Sequence, residues 1–249
     1  VINCAAIVKH YGDYQLFEKV NVTGVKNIIT FCEKYDKEFC QTSTISVSGN
    51  TMTSLPSSFN PNRSVNFGEN KLFINQTLDN VYVRSKFEAE KIILEEIASR
   101  RLKGIIFRIG NITNRFSDGK FQENYEDNAF LNRLKAFLTL KMCPSSLLNN
   151  YAEFSPVDKV AEAIVTAMQY YTYPTSILHI YNSKHLYISD LFNILEQLGL
   201  NVRIVDDNTF KTVLKKWLYD NNKADKIKVL LNDLDKDNKL VYKTNLHIT

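Results

Sequence analysis

The stretch NVYVRSKFEAEK, residues 80–91, decides how this chain is read. It opens a run with apolar residues at helical spacing and puts Tyr82 four places before Lys86, one helical turn away. That spacing suits a phenol and its cationic helper, and equally two residues that happen to share a helix face. With 13 Tyr in the chain, chance supplies roughly one Tyr-x-x-x-Lys. The chain holds two, the second being Tyr219 and Lys223 in YDNNK, so that pair is an internal control. Only the surroundings can separate them.

Working outward, VINCAAIV (1–8) has the composition of a buried strand and YQLFEKVNVTGVKNIITFCEKY (14–35) the periodicity of a helix. EFCQTSTISVSG (38–49) is a strand rich in β-branched residues, and a long polar stretch runs from there to Asn80. YVRSKFEAEKIILEEIASR (82–100) is a strong amphipathic helix, KGIIFRIGNIT (103–113) another strand, VDKVAEAIVTAMQYY (157–171) another helix and ILHIYN (177–182) a closing strand. Strands separated by helices of this length argue for an α/β fold with a parallel sheet and helices on both faces. Residues 116–155 interrupt the alternation with a helix inside an insertion. After the closing strand come a helix in ISDLFNILEQLGL, a short strand in NVRIVDD, a helix in FKTVLKKWLYDN, and a lysine-rich helix with a frayed tail from Lys223. The expected division is 1–115 with 151–183 as the sheet-bearing part, and 116–150 with 184–249 as a smaller, mostly helical substrate-side lobe.

At 249 residues, 44% hydrophobic and 23% charged, the composition is that of a soluble globular protein. No apolar run approaches the roughly 20 residues a membrane-spanning helix needs. Cys4, Cys32, Cys40 and Cys143 form no C-x-x-C pair, so neither a zinc site nor a disulfide framework is indicated, and a cytoplasmic location follows. His10, His179, His185 and His247 lack metal-ligand spacing and are read as structural or exposed. The net charge is +4, and nine lysines lie between Lys211 and Lys243 among dense aspartates. That is either a mixed solvated surface or a docking face for an acidic partner; no recognition motif points to nucleic acid.

Reading outward from Tyr82, Thr44 ends its strand about 38 residues upstream, in S-T-x-x-V, with Ser43 and Ser46 as alternative hydroxyls. Arg108-Ile-Gly-Asn111 ends the strand downstream. These groups fall on the carboxyl edge of the expected parallel sheet, where such folds bind ligands, and no such set surrounds Tyr219. One absence stands against a complete dinucleotide site. The eight glycines, at 12, 24, 49, 68, 104, 110, 119 and 199, include no pair close enough for a pyrophosphate-binding turn.

CAA at 4–6, NVTG at 21–24, STISV at 43–47, YVRSK at 82–86, RIGN at 108–111 and FSPVDKVAEAI at 154–164 resemble the extended branch of the short-chain dehydrogenase/reductase superfamily. NVYVRSKFEAEK, RIGNITNRFSDGKFQ and NAFLNRL are similar, more narrowly, to the terminal thioester reductase domains of nonribosomal peptide synthetases. The resemblance covers about residues 1–185. It implies an incomplete Rossmann-like, doubly wound parallel sheet, because members of that family carry a glycine-rich turn and some hundred residues ahead of the equivalent of VINCAA. The chain is therefore expected to be the carboxy-terminal part of such a domain, a monomeric piece of a larger chain.

The resemblance also implies the chemistry. NADPH would give hydride to a thioester carbonyl on the phosphopantetheine arm of a carrier domain, releasing an aldehyde, or an alcohol after a second reduction. Tyr82 would donate to the carbonyl oxygen, Lys86 would supply the cation that eases the phenol's proton and would hold the nicotinamide ribose, and Thr44 would be a second donor to the oxyanion. Ala5, Ala6, Asn21, Ile109 and Gly110 match positions that line the cofactor; packing of small residues between strand and helix explains them equally well. The alternatives are a sugar-nucleotide epimerase or dehydratase of the same branch, and a catalytically silent fragment that docks a partner. Within the basic segment, Lys211 and Lys215 share a helix face opposite Phe210, Val213, Leu214 and Trp217, which marks a candidate carrier-docking surface.

Overall fold

A computed structural model describes residues 1–49, 65–123, 128–170, 176–184, 186–234, 240 and 246–248; His185 and the segments 235–239 and 241–245 of the lysine-rich tail lie outside them. In chain order the elements begin with β1 (Ile2–Asn3), α1 (Tyr14–Phe17), α2 (Gly24–Lys34), β2 (Phe39–Thr44), β3 (Val65–Phe67), α3 (Val81–Ala98), β4 (Gly104–Ile109) and β5 (Ile112–Thr113). There follow α4 (Ala129–Leu140), β6 (Met142–Pro144), β7 (Tyr151–Ala152), β8 (Ser155–Pro156), α5 (Val157–Tyr170) and β9 (Ile177–Ile180). The last are β10 (Leu186–Tyr187), α6 (Ile188–Gln197), β11 (Arg203–Val205), α7 (Asp207–Leu218), α8 (Asn221–Ile227) and β12 (Leu246–Ile248). The chain divides into two compact units. One comprises Val1–Phe121, Phe154–Asn182 and Asn245–Thr249, the other Gln122–Glu153 and Ser183–Thr244.

The first unit is built on a four-stranded sheet in the order β1-β2-β4-β9, with every pairing parallel. The period-two alternation of the strands sends side chains to two helical layers. Phe39 and Ile106 pack with Val25, Ile29, Ala89 and Ile93 of α2 and α3, while Cys40, Ile105, Phe107 and Ile109 pack with Val160 and Ile164 of α5. Helices on both faces and parallel strands are the α/β architecture that the alternation predicts. Each large aliphatic side chain buried this way stabilises the unit by about 1.5–3 kcal/mol relative to exposure.

Several expected elements are shorter than their apolar runs, for local reasons. VINCAAIV forms strand only at Ile2–Asn3, because the Asn3 Oδ1 accepts from the Ala5 amide at 3.1 Å and turns the chain. The helix expected over 14–35 is interrupted by a π-helical stretch, Glu18–Thr23, between α1 and α2. The strand expected over 38–49 stops at Thr44, whose Oγ1 accepts from the Ser46 amide at 3.1 Å and caps a 3-10 turn, Ile45–Ser48. Gly49 then takes φ +56°, and a Cβ there would stand 2.3 Å from the Thr77 carbonyl oxygen, so only glycine fits.

Helix α3 matches its amphipathic run closely. Asn80 caps it, its Oδ1 accepting from the amides of Tyr82 and Val83 at 3.0 and 3.2 Å, and Arg84 and Glu88 pair at i,i+4 with 2.9 Å between charges. The tail departs from the reading of 184–249 as wholly lobe: β12 pairs parallel to β3, which carries 245–249 into the first unit. Short-range pattern carries no trace of that pairing.

The second unit is mostly helical. Phe137 of α4 meets Phe192 of α6 and Phe210 of α7 with ring centres 6.2 and 6.0 Å apart, over a core that includes Leu140, Leu147, Leu214, Ile227 and Leu230. Strands β6 and β11 pair in parallel, and β7 and β10 antiparallel. Asp206 caps α7 by accepting from the amides of Asn208 and Thr209, both at 3.0 Å.

Candidate active site

The carboxyl ends of β1, β2 and β4 and the first turns of α3 converge in the first unit. The capping amide of Asn80 also donates to the His10 carbonyl oxygen at 3.2 Å, which fastens the start of α3 to the loop after β1. On that turn Tyr82 is half-buried, and the Thr44 side chain at the end of β2 lies close enough to act on its phenol. Burial pushes the Tyr82 pKa up to about 12; the neighbouring Thr44 side chain pulls it down and the Glu90 carboxylate raises it. Tyr82 is therefore a neutral phenol near pH 7, a hydrogen-bond donor rather than a base.

Lys86 is only 4% exposed, and its Nζ donates to the Thr42 carbonyl oxygen at 2.8 Å. Burial pulls its pKa down to about 8, against the opposing influence of Glu90 and of Cys4. The sequence argument assigns Lys86 to ease the proton of Tyr82. Among the described groups acting on Tyr82, burial leads and Lys86 is absent, so the phenol is raised rather than lowered. The ammonium is turned toward the β2 backbone instead.

The remaining expected residues divide. Ala5 is exposed and Ala6 half-exposed on the loop after β1, and Gly110, whose amide donates to the Ile180 carbonyl oxygen at 2.9 Å, follows β4 at the same sheet edge. Asn21 is engaged elsewhere. Its Oδ1 accepts from the Ile7 amide at 2.8 Å, and its Nδ2 donates to the Ile7 carbonyl oxygen at 3.0 Å and the Ser85 hydroxyl at 2.9 Å. It clamps the post-β1 loop to α3 from behind. The Ile109 side chain is buried among Val160 and Ile164, leaving its backbone alone at the edge.

Sequence reasoning left three contributors unassigned. Glu90, Arg108 and Ser43 form a buried cluster under the Tyr82–Lys86 face. Arg108 donates to Glu90 Oε2 through Nη2 at 2.8 Å and Nε at 3.0 Å, and Ser43 donates to Oε1 at 2.5 Å. Ser43, Arg108 and His179 sit opposite one another across β2, β4 and β9, so strand register assembles this row. His10, read as structural or exposed, lies beside Tyr82 with ring centres 5.2 Å apart. One signal was available for Glu90, which stands four residues after Lys86 and eight after Tyr82, on the same helix face.

A parallel, doubly wound sheet carrying a Tyr-Lys pair and a strand-end hydroxyl at its carboxyl edge defines a Rossmann-like domain of the extended short-chain dehydrogenase/reductase class. The chain belongs to the male sterility protein family, a family of NAD-binding domains, whose model matches residues 1–164. A thiolation-reductase di-domain from an archaeal nonribosomal peptide synthetase is 31% identical over 98% of this chain and 51% of that one, with a TM-score of 0.75. The reductase domain of the aureusimine biosynthetic cluster is 26% identical over 100% of this chain and 60% of its own, at a TM-score of 0.76. UDP-glucuronic acid 4-epimerase from Bacillus cereus, at 17% identity, 82% of this chain, 62% of its own and a TM-score of 0.61, shares the fold. The chain thus spans about half to three fifths of the reductase structures it matches. A search of curated protein sequences finds no match. No described helix is long and apolar enough to cross a membrane.

Proposed function

We propose that this chain carries the catalytic face of an NADPH-dependent thioester reductase, which releases a carrier-bound acyl or peptidyl chain as an aldehyde, or as an alcohol after a second reduction. The observation that carries the reading is the placing of Thr44, at the end of β2, beside Tyr82, one helical turn from a buried lysine, in a chain 31% identical to a thiolation-reductase di-domain. Two neighbouring hydroxyl donors can be bridged by one carbonyl oxygen.

The residues present fit the nicotinamide end of the dinucleotide. Exposed Ala5 and half-exposed Ala6 leave room for a flat ring, and the Lys86 ammonium has donors beyond the one given to Thr42, which suit a ribose diol. When bound, the dinucleotide supplies hydride to the carbonyl carbon. As charge grows on the substrate oxygen, neutral Tyr82 donates its proton or hydrogen bond there and Thr44 gives a second. Lys86 orients the ribose, Gly110 and the Ile109 backbone close the edge, and Asn21 keeps the post-β1 loop in place. Collapse of the resulting hemithioacetal frees the carrier thiol and the aldehyde.

The second unit is assigned to the carrier. On α7, Phe210 and Leu214 are buried while Lys215 is exposed and Lys211 half-exposed, so a basic strip is held on a fixed apolar base. Such a strip attracts an acidic carrier at long range.

The test of the reading is consumption of NADPH by the full-length protein with a pantetheine-linked acyl substrate, comparing the parent with Tyr82→Phe. Loss of the absorbance change in the variant is expected. Equal rates in both, or no turnover in either, would overturn reductive release at this site.

A further inference from the structure

The two proposed donors arrive from separate stretches of the chain. Thr44 ends β2 and caps the turn Ile45–Ser48 through its Oγ1, while Tyr82 stands in the first turn of α3 behind the Asn80 cap. Strand register fixes the first and the helix cap fixes the second, but neither device reaches across to the other. The segment leading into α3 does. Gln76, only 6% exposed, joins it to the turn: its Nε2 donates to the Val47 carbonyl oxygen at 3.0 Å and to the Leu72 carbonyl oxygen at 2.8 Å, and its Oε1 accepts from the Ile74 amide at 2.7 Å. Both ends of the buried amide therefore have partners, as burial of a glutamine requires. Asn75 beside it takes φ 60°, a left-handed conformation that asparagine tolerates. The two segments are in close contact at Gly49, where a Cβ would stand 2.3 Å from the Thr77 carbonyl oxygen and 3.0 Å from the Gln76 Cβ.

We propose that Gln76 is a positioning residue that locks the turn carrying Thr44 to the segment leading into Tyr82, and so sets the gap between the two donors. This inference rests on the reading of Thr44 and Tyr82 as donors to one substrate oxygen. On one side of the lock, Val47 lies in the same turn that Thr44 caps, and its side chain is fully buried, so the carbonyl that Gln76 holds belongs to a fixed piece of backbone. On the other side, only residues 77–79 separate Gln76 from Asn80, which caps α3 and is itself tied to the His10 carbonyl oxygen at 3.2 Å. Movement at Gln76 therefore passes to both donors within a few residues. Catalysis by two donors on one oxygen is sensitive to such movement, since a displacement of about 1 Å can cost on the order of a hundredfold in rate. A glutamine that only satisfied buried backbone groups would change stability and leave Thr44 and Tyr82 as well matched as before in the folded molecules.

The experiment is a double-mutant cycle in the full-length protein, read by rate and by NMR. Gln76→Ala should lower kcat for thioester reduction by about tenfold or more with KM for NADPH unchanged, and Thr44→Val by about a hundredfold. The double variant should fall no further than Thr44→Val alone, because Gln76 acts through Thr44. In protein labelled in its tyrosine rings, the Tyr82 signal, assigned through Tyr82→Phe, should move when Thr44→Val is made in the parent and stay nearly still when it is made in Gln76→Ala. Rate losses that multiply, a Tyr82 response of equal size in both backgrounds, or no response in the parent overturns the proposal. Should Gln76→Ala not fold, Gln76→Met keeps the length of the side chain, removes its hydrogen bonds and carries the same expectations. If Tyr82 responds as expected but the parent reduces no thioester, the positioning by Gln76 stands and the reductase reading fails; turnover with multiplying losses sinks the positioning alone.

Discussion

Tyr82 with Lys86, and Tyr219 with Lys223, repeat one spacing in two regions of the molecule. The first pair lies within a single helix, the phenol beside Thr44 and the lysine 4% exposed against the backbone of β2. The second pair straddles two helices. Tyr219 is the C-cap of α7 and 88% exposed, whereas Lys223 lies in α8, ion-paired with Asp220 at 2.8 Å and 5.4 Å from the centre of the Trp217 ring. A four-residue interval acquires chemical meaning when the helix carrying it is laid against strand ends that bring a hydroxyl and desolvate the lysine. Without that burial, water sets the properties of both side chains.

The widest separation between the two regions should appear in rate. Tyr82→Phe is expected to lower thioester reduction by about a hundred- to ten-thousandfold, while Tyr219→Phe leaves it unchanged. Comparable losses in both variants would erase the contrast.

Stability gives the next measure. Arg108→Met leaves the Glu90 carboxylate buried without its cation, and denaturant unfolding should show a loss of about 3–5 kcal/mol. Asp220→Asn, which breaks the partly exposed ion pair of the second region, should cost at most about 1 kcal/mol. A small effect for Arg108→Met would mean that the cluster relaxes or admits water.

The pH dependence of stability sharpens the role of burial. Lys86 has a folded pKa of about 8 against an ordinary value of 10.5, so between those limits the unfolded chain binds more protons and stability from this group rises with pH. The gain is absent below about pH 8 and complete above about 10.5, on the order of 3 kcal/mol. Lys86→Met removes it, so the difference between parent and variant should grow with pH across that window. A flat difference would show that Lys86 is better solvated than its burial implies.

The smallest expected effect concerns the second region's surface. Reversing charge with Lys211→Glu and Lys215→Glu should slow turnover of a carrier-bound substrate by about tenfold or less at low salt, with free pantetheine substrate unaffected and the difference shrinking above roughly 0.1 M salt. Equal activity on the carrier-bound substrate would return α7 to an ordinary solvated face.

The sequence by itself determined the alternation of strands and helices, the span of α3 and the edge at which Thr44, Tyr82 and Lys86 fall. Those features follow from periodicity and caps, which act over a few residues: Asn80 begins α3, and the run from Val83 through Ile93 keeps one face apolar enough to pack. Tertiary structure decided the rest. It turned VINCAAIV out of the sheet after Asn3, gave Asn21 to the loop at Ile7, and joined β12 to β3 across most of the chain. It also aligned Ser43, Arg108 and His179 in one row beneath Glu90, left Tyr82 half-buried and Lys86 buried, and so raised one pKa and lowered the other. Such outcomes depend on which distant strand lies opposite and how much water is excluded. A local pattern contains neither the register between strands nor the depth of burial, and those two quantities set the charge states on which the proposed chemistry depends.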